Sequence, residues 1–461
     1  RSLGYPARQI GPYAALKKAM PGTSISLAMA NDMNGRLVPA ALLSANGKPG
    51  LVHQLNGKYL GHDSVINATK AAGHAAAAHS VQQWDGTLKI TKAGTYRLYI
   101  QSIGGRGALW IDGKKVASAS GGAGGMHGDT LQPNQDNLLP TPDGLDNVRI
   151  ALPLKAGQHS IRVKVTPDSS GAPVQARLCW VTPDQKKADF AAAVAAAKQA
   201  KTAVVFVWGR GAPVYGLPGD QDKLVEAVAA VNPNTVVVLN TSQPVAMPWI
   251  DKVKGVVEMW WPGDEGGQAT ADILSGKVSP GGHLPFTWAY KLTDYAATDP
   301  KHPERSAKGI KGKTTYSEGV NIGYRWFDKM HIKPLYPFGY GLSYTRFIYS
   351  GLKAARATDG GLDVSFTVKN VGGHDGDAVP QVYLSAPRNK PSGVQFAPQT
   401  LAGFTRISLK KGGEARIFVH IAPRRLQYWS GKKQCWEELG RGREIRVGAS
   451  SRDVRLKMIF P

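Results

Sequence analysis

The sequence predicts a multidomain chain: an α/β sandwich with a parallel-rich sheet covered by helices, an all-β sandwich inserted into it, and a second all-β sandwich of immunoglobulin type at the end. Three observations predict it. Helix-like and strand-like segments alternate between residues 184 and 290. Short strands with alternating apolar and polar residues crowd residues 46–183. From Phe347 onward the signals are all strand. The expected division is 1–45 and 184–300 for the α/β unit, 46–183 for the insertion, 301–345 for a connector and 346–461 for the last sandwich.

Each element has its own reason. Tyr13–Met20 (YAALKKAM) reads as a helix and Ser24–Ala30 (SISLAMA) as a strand. In the insertion, Gly86–Ile90, Gly94–Ile103, Gly107–Val116, Gln158–Thr166 and Gln175–Val181 read as antiparallel strands with one wet face. Asp112-Gly113 marks a two-residue hairpin turn, where positive φ is required. Between Ser118 and Leu145 runs a Gly/Asn/Pro/Asp-rich loop, and a loop of that length usually carries function. Alanine-rich Lys186–Ala200 is helical, and Thr202–Trp208 is a buried strand. Gln221–Val231 is a helix with Asp220 near its start, a favourable place for an acid. Asn234–Thr241 and Lys254–Trp261 are strands, and Glu265–Gly276 is a helix closed by a glycine. This βαβ rhythm requires a parallel sheet covered by helices. The segments LDVSFTVKNVG, AVPQVYLSAP, EARIFVHIAP and REIRVGASS supply the last sandwich.

Composition bounds the function. A chain of 461 residues suggests about three domains. No run of about 18 uncharged apolar residues exists to span a membrane. The first residue is Arg1, with no visible signal peptide, so the expectation is that a preceding segment was removed or that the chain begins inside a longer one. The net charge of +24 could serve nucleic-acid binding. The basic residues are scattered, however, without a Lys/Arg block or a nucleic-acid motif, which fits the basic surface of an exported protein. Such a surface would also suit an acidic polysaccharide or an anionic membrane face. Cys179 and Cys435 are far apart, cannot form a metal site alone, and sit beside apolar and aromatic residues, so two buried free thiols are expected, with a disulfide between them as the alternative.

Four motifs then carry a resemblance. NPNTVVVLNTSQPVAMPW, WWPGDEGGQATADILSGKVSPGGHLPFTW, TTYSEGVNIGYRWFD and LYPFGYGLSYTRF resemble the C-terminal half of glycoside hydrolase family 3 enzymes, best known for β-glucosidases. The end of the chain resembles their fibronectin type III-like domain. Residues 46–183 resemble a PA14 domain, with WDGTLKITKAGTYRLYI, ALWIDGKKV, LKAGQHSIRVKV and RLCWV in the usual order. The resemblance implies release of terminal non-reducing β-D-glucosyl residues by a retaining mechanism, without metal or organic cofactor, in a periplasmic or extracellular protein. It also implies partners: a carbohydrate substrate, and a (β/α)8 barrel, absent from this chain, that bears the nucleophilic aspartate. No nucleic acid is implied, and a homo-oligomer is possible. The alternative is a non-catalytic carbohydrate-binding or assembly subunit.

Retaining hydrolysis needs two carboxylates about 5 Å apart, and this chain can supply at most the acid/base. Family members resembling it place a glutamate, in a pattern close to Glu-Gly-x-Asp-Arg, after the strand matching Thr202–Trp208. Here that loop is shortened to GRGAPVYGLPG, and no glutamate matches. Glu318 is the acid/base candidate, because it lies among Tyr316, Tyr324, Arg325 and Trp326, where desolvation would raise its pKa. Its simpler role is to pair with Arg325 or cap a turn. Glu265 reads as a helix-terminus acid and Glu258 as a packed, paired group. Candidate substrate contacts are Tyr5, Arg8 and Gln9 in the opening segment, Arg210 and Tyr215 in the short loop, Tyr316 beside Glu318, and Trp110 in the insertion, whose simpler place is the core. Of the Trp260-Trp261 pair, strand alternation allows only one to face a given side.

Overall fold

The computed structural model describes residues 10–119, 135–138, 140–209, 215–439 and 442–460. The chain enters through helix α1 (Pro12–Ala19), which buries Ala15 and Leu16. A proline in its first turn costs nothing, because that backbone donor has no intrahelical partner. Ser24–Ala30 forms no strand. Leu27 and Met29 stand 62% and 55% exposed. Only Ile25 and Ala30 pack on neighbouring clusters. The strand pattern is there, but it meets no sheet edge to pair with.

The chain next builds a β-sandwich from β1 (Arg36–Leu37), β2 (Leu43–Ala45), β3 (Leu51–Leu55), β4 (Lys58–Asp63), β5 (Gln82–Ile90), β6 (Gly94–Ile103), β7 (Gly105–Ile111), β8 (Lys114–Ala119), β9 (Asp146–Leu154), β10 (Gly157–Pro167) and β11 (Gln175–Val181). Sheet one runs β1-β11-β6-β9 and sheet two β8-β7-β10-β5-β2, with β3 and β4 added beside β5. All of these pairings are antiparallel. Trp84, Leu98, Ile100, Leu109, Val163 and Leu178 fill the space between the sheets. Asp112 and Gly113 both have positive φ, 50° and 75°, as the β7–β8 hairpin turn requires. The strand cluster begins at Arg36, ahead of the change in composition near residue 46, because β1 pairs with β11 and β2 with β5. First and last strands are thus zipped together: Arg36 lies opposite Trp180 and Leu37 opposite Cys179.

The chain then returns to α/β material. Helix α2 (Pro183–Gln199) starts from a capping box in which Gln185 N donates to Thr182 Oγ1 and Thr182 N donates to Gln185 Oε1. Strands β12 (Ala203–Gly209), β13 (Thr235–Thr241) and β14 (Gly255–Glu258) pair in parallel, with Val205 opposite Val237 and Val238 opposite Val257. Helices α3 (Gln221–Val231) and α4 (Gly266–Leu274) complete the unit. Val207, Val225, Leu239, Trp249 and Trp288 form its core. α4 lies against the entry to α1 at Gly267, where a Cβ would come within 1.9 Å of the Ile10 carbonyl oxygen. Only glycine fits there.

After a connector, antiparallel strands form the final unit, with Leu362–Asn370 between Phe347–Arg356 and Glu414–Ile421 in one sheet. The other sheet holds Gln399–Phe404, Gln381–Ser385, Glu444–Gly448 and Val454–Ile459. Its core includes Phe366, Val382, Ile445 and Val447. The cysteines are both free, but only Cys179 is buried, against the expectation for the pair. Cys435 sits on a two-stranded hairpin with Gln427–Ser430 that leaves it exposed. Among the described residues, no helix is long and apolar enough to cross a membrane.

Candidate functional site

Strands β12, β13 and β14 end together: Gly209 lies opposite Thr241, and Leu239 opposite Glu258. The loops that follow gather at this C-terminal edge, the place where open α/β sheets bind ligands.

Gln221, at the start of α3, ties down the base of the first loop. Its Oε1 accepts from Trp208 N at 2.9 Å, and its Nε2 donates to the carbonyls of Trp208 and Pro218 at 2.9 and 3.0 Å. Tyr215 leaves that loop and donates its hydroxyl to the Ala289 carbonyl at 2.6 Å, edge-on to Tyr295. Burial pushes its pKa up. Asp220 meets Arg97 of β6 at 3.1 Å and also pairs with Lys186 of α2. Burial alone would raise the Asp220 pKa, but Lys186 and Arg97 outweigh it and hold it below the usual range. Arg149 of β9 is bound through Nε and Nη2 to Asp136, at 3.0 and 2.7 Å. Arg97 and Arg149 both approach Gly219 at the loop's end.

Glu258 closes the third strand. Its Oε1 accepts from Trp260 N at 2.7 Å, and its Oε2 lies 3.1 Å from Thr241 Oγ1. That hydroxyl also lies 2.9 Å from the Gln243 carbonyl, and its single proton cannot serve both acceptors. A proton on Glu258 Oε2 completes the set, in accord with a pKa that burial pushes up to about 7. The bond from Trp260 N holds that residue at φ 53°, a backbone region costly for a bulky side chain. Trp260 packs on Phe286 and Trp288, whereas Trp261 stands 60% exposed. The pair is split, but not by strand alternation: both residues lie beyond the end of β14 at Glu258, and Trp260 has left the extended backbone.

The other predicted residues lie elsewhere. Glu318 is buried in the connector, with Oε2 3.5 Å from Arg305 Nε, and Arg305 in turn lies over the Trp326 ring. Its partner is therefore Arg305 rather than Arg325, because the turn after Ser317 folds back on the Pro303–Arg305 helix. Tyr316 beside it is 79% exposed. Glu265 stands at the N-terminal end of α4 but makes no side-chain cap bond. Trp110 lies half-buried on the outer face of sheet two with Lys115 Nζ above its ring, not in the core. Sheet two is the one turned away from the α/β unit, since Arg97 and Tyr99 of sheet one make the contacts to it. Tyr5, Arg8, Gln9 and Arg210 lie outside the described residues. The described residues hold no cluster fit for a metal ion. Sequence reasoning missed Gln221 and Arg149, because a helix-start glutamine and a strand arginine carry no local signal of their distant partners.

Residues 6–344 match the glycosyl hydrolase family 3 C-terminal domain, and residues 378–451 a fibronectin type III-like domain. A β-glucosidase of Rhizobium radiobacter is 40% identical over 252 residues, covering 54% of this chain and 30% of the relative. β-Glucosidase B of Emericella nidulans is 36% identical over 345 residues, covering 68% of this chain and 40% of the relative. The structure of DesR, a β-glucosidase from Streptomyces venezuelae in complex with D-glucose, superposes with a TM-score of 0.76 at 31% identity, covering 99% of this chain and 53% of that one. The chain therefore spans less than half the length of these two curated relatives. It belongs to glycosyl hydrolase family 3, carrying that family's C-terminal domain followed by a fibronectin type III-like domain.

Proposed function

We propose that this chain is the C-terminal half of a β-glucosidase, and that the whole protein releases terminal non-reducing β-D-glucosyl residues with retention of configuration. The observation that carries the reading is the likeness along 99% of the chain to a glucose-bound β-glucosidase. A (β/α)8 barrel, in the same polypeptide or a second chain, supplies the nucleophile. The edge where β12, β13 and β14 end forms one wall of the composite pocket. The inserted sandwich is a PA14-like domain, a reading supported by the order of its motifs and by its two antiparallel sheets. The protein is exported to the periplasm or beyond.

The test is turnover of nitrophenyl β-glucoside by the full-length protein, with the anomer of the product read by NMR. Release of β-glucose supports the reading, and α-glucose or no turnover defeats it. Glu318→Gln separates two roles for that residue. With Arg305 as its buried partner, the expected result is lost stability and an unchanged pH profile. A lost basic limb at intact stability would instead make it the acid/base.

A second reading is favoured by one observation. Glu258 and Glu318 are both engaged inside the fold, and Val205–Gly219 contains no carboxylate. A non-catalytic carbohydrate-binding subunit has this property. Saturable glucoside binding without turnover by the full-length protein would identify it.

A further inference from the structure

The positive charge of the chain is unevenly placed. Residues 346–461, about a quarter of the sequence, hold 20 Lys and Arg against nine Asp and Glu. Each of those nine acids already meets a basic side chain. The cations left over collect at one end of the final sandwich. Arg388, Lys390, Arg424, Arg425 and Lys432 are exposed and, among the described residues, meet no carboxylate. Arg388 lies beside Gly442, and the Phe396 ring of the same loop lies 6.1 Å from the Tyr428 ring. Beneath them Arg443 is buried, donating to the Ser385 and Arg425 carbonyls at 2.8 and 3.3 Å. Burial lowers its pKa to about 10, so it stays charged at neutral pH. Gln381, at the other end of the Gln381–Ser385 strand, bonds Gly339 of the connector, so Ser385 and Arg443 lie about 13 Å from that junction.

From the midst of these cations projects the hairpin of Gln427–Ser430 and Cys435–Glu438. Among the described residues it pairs with no third strand. Trp429 lies opposite Trp436, and the two side chains are 46% and 47% exposed. A lone two-stranded hairpin is marginal in water, and two exposed indoles on it are a further cost. The acids of the hairpin do not offset the cations around it. Glu437 is taken by Lys433 at 2.5 Å and by the Tyr428 hydroxyl at 2.8 Å, and Glu438 by Arg356. The rings of Trp429 and Trp436 meet at 69°, and the Arg424 guanidinium lies 4.1 Å from the Trp436 ring centre. The pair therefore presents no flat platform on which sugar rings could stack.

Exposed indoles ringed by unopposed Lys and Arg suit the boundary of a lipid bilayer. Tryptophan rests at headgroup level with its apolar body toward the acyl chains, and basic side chains are drawn to anionic lipid phosphates. We propose that this end of the final sandwich docks on a bilayer rich in anionic phospholipid, with Trp429 and Trp436 entering the headgroup layer and Arg388, Arg424, Arg425 and Lys432 lying on its phosphates. Charge complementarity selects that occupant. A second copy of the chain would bring like charges together. An acidic polysaccharide would answer the cations but leave both indoles in water. The inference does not rest on the catalytic reading.

The test uses the full-length protein and a reporter that the fold provides. Cys435 is exposed at the hairpin tip, so a polarity-sensitive nitrobenzoxadiazole dye attaches there, and peptide mass locates the label. Cys179 is buried, with a thiol pushed up to about 12, and stays unlabelled. With vesicles of equal parts phosphatidylglycerol and phosphatidylcholine, the protein is expected to cosediment and the dye emission to shift to the blue. With phosphatidylcholine alone, neither is expected. Arg425→Gln with Lys432→Gln changes two exposed side chains and leaves the hairpin contacts intact, and should weaken partitioning about tenfold. Trp429→Ala with Trp436→Ala should abolish the blue shift. No cosedimentation, equal binding to both kinds of vesicle, or unchanged partitioning in Arg425→Gln with Lys432→Gln overturns the proposal. So does binding to polygalacturonate in place of the vesicles, with the dye still emitting as in water.

Discussion

Gln221 joins Trp208 to Pro218 through one amide, so the short loop between them is closed at its base by a single side chain. Gln221→Leu leaves those buried backbone groups without partners. The expected cost is about 1–3 kcal/mol in urea unfolding, with faster hydrogen exchange at residues 208–218. Glu258 makes a pH-dependent prediction. Its pKa rises from 4.5 to about 7 on folding, so the folded state binds the proton more tightly than the unfolded one. The stability it contributes is full below about pH 4.5 and is lost as pH climbs through 7, by on the order of 3 kcal/mol. Glu258→Gln should remove that part of the slope, as read by urea midpoints between pH 4.5 and 8. Glutamate 258 was legible in sequence as a packed group, and the structure shows what it packs for: it clamps the strained backbone of Trp260. Gln221 was not legible, because its partners lie in another element.

At the scale of elements, the contact between α4 and the entry to α1 depends on one missing atom. Gly267→Ala sets a methyl against the Ile10 carbonyl and forces the two apart, at a cost of about 1–3 kcal/mol in thermal unfolding. Unchanged stability would mean that the entry segment moves aside freely. Elements with one wet face were readable from alternation, as in β10, where Ile161, Val163 and Val165 point inward. β9 was not. Residues 147–150 are buried in succession because sheet one is covered on both faces, by the sandwich core and by the 31–35 segment, so the period of two disappears. Ser24–Ala30 failed in the opposite way, with a strand's pattern and no edge to join. Cys435 misled for a third reason: aromatic neighbours suggest burial, but here Trp429 and Trp436 are themselves half-exposed on a projecting hairpin.

Across the whole molecule, the grip between sheet one and the α/β unit has a polar part, in which Arg97 meets Asp220 and Tyr99 meets the Asp32 carbonyl, and an apolar part around Met33 and Trp208. Arg97→Met removes the central cation. Calorimetry is expected to show the sandwich and its host unfolding in separate transitions where the unaltered chain gives a more merged one. A single unchanged transition would show that the apolar contacts around Met33 and Trp208 suffice. Sequence made the helix–strand alternation of residues 184–290 and the all-strand character of the regions on either side readable, but not the surfaces by which they hold one another. Those depend on which strand faces which, and that is set only when the sheets close. The zipper between β1 and β11 bears on ancestry. A module whose two ends already lie side by side can be spliced into a gene, or dropped from it, in one event, and the remaining host has only a gap one hairpin wide to rejoin.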